Sequence, residues 1–263
     1  MAAAVAPLQL SALVVAHNEA AQLATCLDGL SFCDEIVVVL DRCTDGSRDI
    51  AAGRGAKIIE GAWEIEGARR QAGQAACAGR WVFEVDADER VPAALAKEIR
   101  SVLKAREAAG EQGVAFWRIP FDNYIGDRLV RYGWGASFGV SAKAILYRKG
   151  IKHWGAQRVH PKVLMDGVAG EALTTRMAHY VDNDVSDMIQ RLDRYTTLHA
   201  RDMVEEGDRS TLRKNVARIL GRFYKCYVLR KGYREGALGI VIAVCAGLYP
   251  FLSYVKAQEL TKK

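Results

Sequence analysis

The sequence predicts an α/β fold: a mostly parallel sheet with helices on both faces, followed by a helical C-terminal tail. Three observations carry this. Short apolar runs alternate with stretches of helical spacing across residues 9–121. The runs are too uniformly apolar to alternate, as strands covered on both faces are. From Thr211 onward the balance shifts to 11 Lys/Arg against two acidic residues, a net of +9, while the rest of the chain is near neutral and the whole carries +6.

The elements follow in order. Gln9–Ala16 is a short apolar run and reads as a buried strand; Ala20–Leu30 places Leu23, Leu27 and Leu30 at helical spacing. Glu35–Leu40 is a β-branched run that ends at Asp41, and Thr44-Asp-Gly-Ser47 is turn chemistry, with Ser47 placed to cap a helix through Gly53. Lys57–Glu60 is a third strand and Gly67–Ala78 a helix rich in Ala, Arg and Gln. Arg80–Val85 is a fourth strand ending at Asp86-Ala-Asp-Glu89; Pro92 then opens a helix to Glu107, and Val114–Phe121 is a fifth strand. Residues 122–180 show no clean helical period and read as loops and short strands. Helical spacing returns over Asp187–Glu206, with Met188, Leu192, Tyr195, His199 and Met203 on one stripe.

In sheets of this kind, ligands bind beyond the carboxyl ends of the strands. Three polar clusters fall there: His17-Asn18-Glu19, Asp41, and Asp86-Ala87-Asp88. At a strand end, residues i and i+2 point to one side, so Asp86 and Asp88 can face one Mg2+ or Mn2+ and leave positions open for phosphates. Asp41 is placed to meet a ribose or base, or to cap the following turn. The His17–Glu19 loop opens a helix, whose amides suit a base or phosphate; the alternative is that Asn18 only caps that helix. Arg69 and Arg70 precede the acidic strand and can reach a diphosphate from a helix face. His160, before Pro161, is a candidate metal ligand or general base, and His179 a further histidine of that kind.

Other classes are excluded by what is absent. There is no GxxxxGK[ST] phosphate loop, no GxGxxG after the first strand and no GxSxG elbow. The six cysteines form no CxxC pair and read as reduced thiols. A near-neutral body with a basic tail does not suit nucleic acid. It suits a tail that approaches an anionic membrane surface. Gly236–Val255 has no charge over 20 residues, long enough to span a bilayer, but its three glycines and Pro250 favour a hairpin at the membrane surface. The N-terminal residues lack the basic and apolar regions of a secretory leader.

Leu13-Val-Val-Ala-His-Asn-Glu-Ala20, Asp34–Ser47 and Trp81–Glu89 resemble the motifs of family 2 glycosyltransferases, and among these the bacterial lipopolysaccharide-core glucosyltransferase-like branch. The resemblance implies the GT-A fold, a Rossmann-like α/β arrangement, and an inverting, metal-dependent transfer from a nucleotide-diphospho-sugar, a UDP-sugar by preference, to a lipid-linked or envelope glycan. By it, Asn18, Glu19 and Asp41 contact the nucleotide, and Asp86 and Asp88 form the metal-diphosphate motif that holds Mg2+ or Mn2+. The residues themselves add His17 and Arg70, with Asp86, to the nucleotide-sugar set, and offer His160 or Asp166 as the catalytic base where many relatives carry an acidic residue soon after the position of Val159. Residues 1–121 become the nucleotide-sugar half, 122–210 the acceptor half and 211–263 the tail of a cytoplasmic enzyme, peripheral on the inner face of the membrane. Two rival expectations are a sugar-1-phosphate nucleotidyltransferase and a non-catalytic membrane-associated scaffold of the same fold.

Overall fold

The computed structural model describes residues 9–108, 113–134, 141–208 and 210–262; the N-terminal stretch read for a leader lies outside them. The chain forms two compact units. One comprises residues up to Phe121 with Ala142–Ala156 and Pro161–His179; the other comprises Asp122–Ser141, Gln157–His160 and the chain from Tyr180 onward. Segments 142–156 and 161–179, expected in an acceptor half, therefore cluster with the first unit. The tail from 211 belongs to the body of the second.

In the first unit, β1 (Leu10–Ala16), β2 (Glu35–Asp41), β3 (Lys57–Gly61) and β4 (Trp81–Asp86) alternate with α1 (Ala20–Asp28), α2 (Ser47–Gly53) and α3 (Glu66–Ala76). There follow β5 (Glu89–Arg90), α4 (Ala93–Ala108), β6 (Val114–Ile125), β8 (Ala142–Arg148), β9 (Lys152–Trp154), β10 (Val163–Met165), β11 (Val168–Ala169) and β12 (Met177–Asp182); β7 (Arg128–Val130) lies in the second unit, to which β6 and β12 also contribute. The main sheet runs β3-β2-β1-β4-β8-β6-β12-β5. The β3-β2-β1-β4 half is parallel, whereas β8 pairs antiparallel with both β4 and β6.

Every residue of β1 is buried, which requires cover on both faces. Leu13, Val15, Val37 and Val39 pack with Ala76 and Cys77 at the end of α3. Their alternates Ala12, Val14, Val38 and Leu40 are equally buried. The strand order reverses direction at β1, with β2 on one side and β4 on the other. Such a switch point opens a crevice at the carboxyl ends of β1 and β4.

Ser47 is the first residue of α2 rather than its cap: Gly46 occupies that position, and the Ser47 hydroxyl accepts from the Glu19 N–H at 3.1 Å. All six cysteines are free.

The second unit is built on helices: α5 (Val185–Glu205), α6 (Leu212–Tyr224), a π turn over Lys225–Leu229, a 3-10 turn over Gly232–Glu235, and α7 (Ala237–Leu260). Asp184 caps α5 by accepting from the Asp187 N–H at 2.9 Å. The 236–255 segment is one helix with Pro250 inside it, not a hairpin. α7 passes the length and hydropathy test for a membrane span, but half of that window is buried against protein. Its buried face, including Ile242, Ala246 and Tyr249, joins Met188 and Leu192 of α5 in one core. Gly239 starts that packing, because a Cβ there would fall 1.9 Å from the Gly232 carbonyl oxygen. Gly239→Ala is expected to lower stability by about 1–3 kcal/mol, since overpacking against backbone outweighs the helix propensity gained. A melting temperature unchanged or raised in thermal unfolding would contradict that packing account.

Candidate active site

Two loops are laced together at the ends of β1 and β2. Asn18 takes a left-handed backbone (φ 56°), which asparagine tolerates better than most residues. Its Oδ1 then accepts from the Thr44 N–H at 2.7 Å, and Asp45 Oδ2 accepts from the Ala20 N–H at 2.9 Å. His17 Nδ1 lies 2.6 Å from the Asp41 carbonyl oxygen, and the rest of His17 is exposed. The predicted His17–Glu19 and Asp41 clusters are thus adjacent, as one crevice requires.

Asp41 itself is occupied. It is almost fully buried, and its carboxylate accepts from Arg42 Nε (3.0 Å), Arg42 Nη2 (2.9 Å), the Trp63 N–H (3.0 Å) and Arg69 Nη1 (3.2 Å). Burial pushes its pKa up, but the hydrogen bonds from Arg42 and Trp63 and the charge of Arg69 outweigh it and hold the group below its ordinary value. Arg42 reaches back because it, too, is left-handed (φ 51°). The sequence anticipates a carboxylate offered to a ribose; the structure shows one that anchors two arginines and the Trp63 loop.

The end of β4 holds a denser network. Arg70 is bound by three carboxylates: Glu66 (2.9 Å), Glu84 and Asp86 (3.0 Å). Glu84 also pairs with Lys152, and Lys143 bridges Asp86 (3.0 Å) and Glu89 (2.7 Å). Asp86 therefore has one oxygen on Arg70 and the other on Lys143. Burial alone would raise its pKa; these two cations hold it well below the carboxylate range. Arg70, expected to grip a diphosphate, is committed to neutralising this strand end.

Asp88 differs. The chain leaves the strand at Asp86 and turns through Ala87 and Asp88, so the two-residue alternation no longer applies. Asp88 Oδ2 lies 3.4 Å from His179 Nε2, while its Oδ1 is buried without a hydrogen-bond partner. β12 runs antiparallel to β5 with His179 opposite Glu89. Donor atoms of Asp88, Glu89 and His179 all lie within 4.8 Å of one another, a set that can hold a metal ion.

The electrostatics point the same way. Glu66, Glu84, Asp86, Asp88 and Glu89 crowd around Arg70, Lys143 and Lys152, with His179 against Asp88. Buried uncompensated charge is costly. Accordingly the Glu89 pKa is raised to about 7, by burial first, with Asp86 and Asp88 adding to the rise and Lys143 opposing it. Burial lowers the His179 pKa, but the Asp88 carboxylate prevails and raises it. An oxygen-rich set with one imidazole and a carboxylate oxygen without a hydrogen-bond partner fits Mn2+ or Mg2+. The candidate set differs from the expected pair: it shares Asp88 and adds Glu89 and His179, while both Asp86 oxygens are on Arg70 and Lys143.

The two candidate bases are differently placed. Asp166 is 73% exposed and hydrogen-bonded to His153 Nε2 at 2.9 Å beside the β9–β10 ribbon of the first unit. His160, in the second unit, packs edge-on to Tyr195 at 5.1 Å and is left-handed (φ 50°) immediately before Pro161. A β-carbon-bearing residue pays for that conformation, and a following proline disfavours it further.

Lys143, Glu84, Glu89 and Lys152 were not singled out by the sequence. Their signal was present only as charges inside apolar strands, where a buried charge demands a partner.

Because a protonated imidazole cannot ligate, Mn2+ is expected to raise the melting temperature more at pH 8 than at pH 6, following the raised His179 pKa. The rise should vanish in Asp88→Asn and His179→Gln. An equal rise at both pH values, or one that survives both substitutions, would place the ion elsewhere.

Comparison with known proteins gives the arrangement a name. The family model "Glycosyl transferase family 2" matches residues 11–155. The chain is 29% identical to the lipopolysaccharide core biosynthesis glycosyltransferase LpsC of Rhizobium meliloti, covering 96% of this chain and 93% of that one. It is 24% identical to an uncharacterized glycosyltransferase of Rickettsia typhi, over 97% and 88% of the two chains. Among solved structures, S. aureus TarS residues 1–349 in complex with UDP align at 14% identity with a TM-score of 0.50, covering 95% of this chain and 88% of that one. The latter supports the fold alone, which is GT-A-like. With the family model spanning more than half its length, this chain belongs to glycosyl transferase family 2 and is a glycosyltransferase.

Proposed function

We propose that the enzyme transfers a hexose, with inversion, from a UDP-sugar to a lipid-linked glycan of the bacterial envelope, of the kind found in lipopolysaccharide core. The observation that carries the reading is the Asp88–Glu89–His179 cluster at the crevice end of β4, with an Asp88 oxygen that has no hydrogen-bond partner. The LpsC likeness supports the acceptor class, and a donor related to UDP agrees with the TarS fold.

In this mechanism the His17–Glu19 loop contacts the nucleotide. Asp41 acts by holding Arg42 and Arg69 against the same crevice. Asp88, Glu89 and His179 hold Mn2+ or Mg2+, which when bound supplies charge stabilisation for the departing diphosphate. Arg70 and Lys143 fix Asp86 and keep the acidic strand end folded. An acceptor hydroxyl attacks the anomeric carbon on the face opposite the leaving group and gives its proton to a general base, for which His160 is the candidate and the exposed Asp166 the alternative. The membrane-facing role of the second unit would bring the enzyme to its lipid-linked acceptor on the inner face of the membrane.

Nucleotide release from a panel of UDP-sugars, with lipid-linked core glycan as acceptor, tests this. Asp88→Asn is expected to lower kcat by about 10³-fold, roughly 4 kcal/mol of transition-state stabilisation. His160→Gln should lose about 10²–10⁴-fold with KM little changed, whereas Asp166→Asn should stay near wild type. Pyrophosphate release from nucleoside triphosphate and sugar phosphate, without transfer from any UDP-sugar, would overturn the reading in favour of a nucleotidyltransferase. No turnover of either kind would favour a scaffold.

A further inference from the structure

We infer that α6, not the more apolar α7, is the element that docks this protein on an anionic lipid surface, lying in the plane of the interface. The inference deepens the membrane-surface reading above and rests on it.

α6 is amphipathic in an unusual sense. Its inner side packs on protein: Asn215 is fully buried, Arg222 sits over the Tyr249 ring at 5.8 Å, and the Ile219 carbonyl lies 2.9 Å from where a Cβ on Gly247 of α7 would stand. Its outer side is not polar. Leu212, Val216, Leu220 and Tyr224 follow one another at four-residue spacing, which sets them on one stripe of the helix, and they are 53%, 44%, 72% and 55% exposed. The π turn that follows exposes Val228 and Leu229 in the same way. A soluble helix would carry polar side chains at these positions.

The exposed charges of this segment, from Thr211 to Arg234, have one sign. Arg213, Lys214, Lys225, Arg230, Lys231 and Arg234 are all exposed. No Asp or Glu occurs between Thr211 and Arg234, and Glu235 is buried, accepting from the Arg131 and Tyr132 N–H groups at 2.9 and 3.0 Å. A second copy of this chain would bring the same cations to the stripe and repel it. A bilayer of anionic lipid offers hydrocarbon for the stripe and headgroups for the cations, which is the complement the surface lacks.

α7 is ill suited to the same role. Its buried face packs on α5, which carries Arg191, Asp193, Arg194, Arg201, Asp202 and Glu205. Near its end, Lys256 Nζ binds Asp193, Thr196 and Thr197 at 2.7–2.9 Å. Inserting α7 would strip it from that helix or carry those charges into hydrocarbon.

The test is co-sedimentation of the full chain with vesicles of phosphatidylglycerol and phosphatidylcholine, or of phosphatidylcholine alone. The wild-type protein should bind the anionic vesicles, and raising the salt should weaken it. Leu220→Glu with Tyr224→Glu should reduce binding by about tenfold or more with the circular dichroism spectrum unchanged. Lys214→Gln with Lys231→Gln, which leaves the stripe intact, should reduce it as well. Ile240→Glu on the exposed face of α7 should not. Wild-type protein that binds no vesicle would sink the membrane reading altogether. Binding that survives both pairs, or that only Ile240→Glu abolishes, would overturn the assignment to α6 alone. So would a wild-type dimer that Leu220→Glu with Tyr224→Glu splits while vesicle binding persists.

Discussion

A strand buried on both faces cannot end in a row of carboxylates unless cations come to meet them, and most of this first unit is arranged to bring them. Glu84, inside β4, is held by Arg70 from α3 and by Lys152 from β9; Asp86, at its end, is held by Arg70 and by Lys143 from β8. Three elements distant in sequence are thereby pinned to one strand end. Because Glu84 and Asp86 each hold two cations, removing one would leave a buried carboxylate with a single partner, a destabilising change. The network does not close. It stops at Asp88 and Glu89, where one Asp88 oxygen finds no hydrogen-bond partner and burial, with Asp86 and Asp88 close by, raises the Glu89 pKa to about 7.

The ends of β1 and β2 add backbone strain to charge pairing. Asn18 and Arg42, each the second residue after its strand or the first, both adopt left-handed backbone. The two turns are what allow Asn18 to reach the Thr44 amide and Arg42 to fold back on Asp41. Such conformations cost about 1–3 kcal/mol each and persist only where neighbours enforce them. Here the enforcement is mutual, since each loop satisfies the other's polar groups across the ends of β1 and β2. A loop pair held this way is preorganised before any ligand arrives, which lowers the entropy lost on binding.

The parallel half of the fold was readable because its signals are local. Uniform apolar runs such as Leu13–Ala16 and Glu35–Leu40 declare buried strands, and polar residues that interrupt them mark the strand ends. What could not be read is what depends on pairing. The antiparallel β8 and β12 deliver Lys143 and His179 from 57 and 91 positions beyond Asp86 and Asp88, and nothing in their own neighbourhoods announces the destination. The Asp-Ala-Asp spacing misled in one respect. Alternation puts residues i and i+2 on one side only while the chain remains extended, and here it turns at Ala87. Asp86 looks back into the network and Asp88 looks out of it. Glu89 was in plain view as the fourth residue of the run, but only the β5–β12 pairing makes it a neighbour of His179.

In the C-terminal segment, composition and packing point to different elements. Hydropathy singles out 236–255 because α7 is apolar all round, and a helix apolar all round is either a span or a core helix. Packing decides between them. α7 has α5 on one side and α6 on another, and its half-buried surface is that of the central helix of a small bundle. α6 escapes a hydropathy search because its apolar residues are diluted by arginines and lysines. Yet those residues are the ones left facing water once α7 has been covered. An interfacial helix is recognised by what remains exposed after folding, so its signature belongs to the folded surface and not to the average over a window. The basic excess of the tail then takes on a definite place: it surrounds the one apolar stripe of α6 that the fold leaves uncovered.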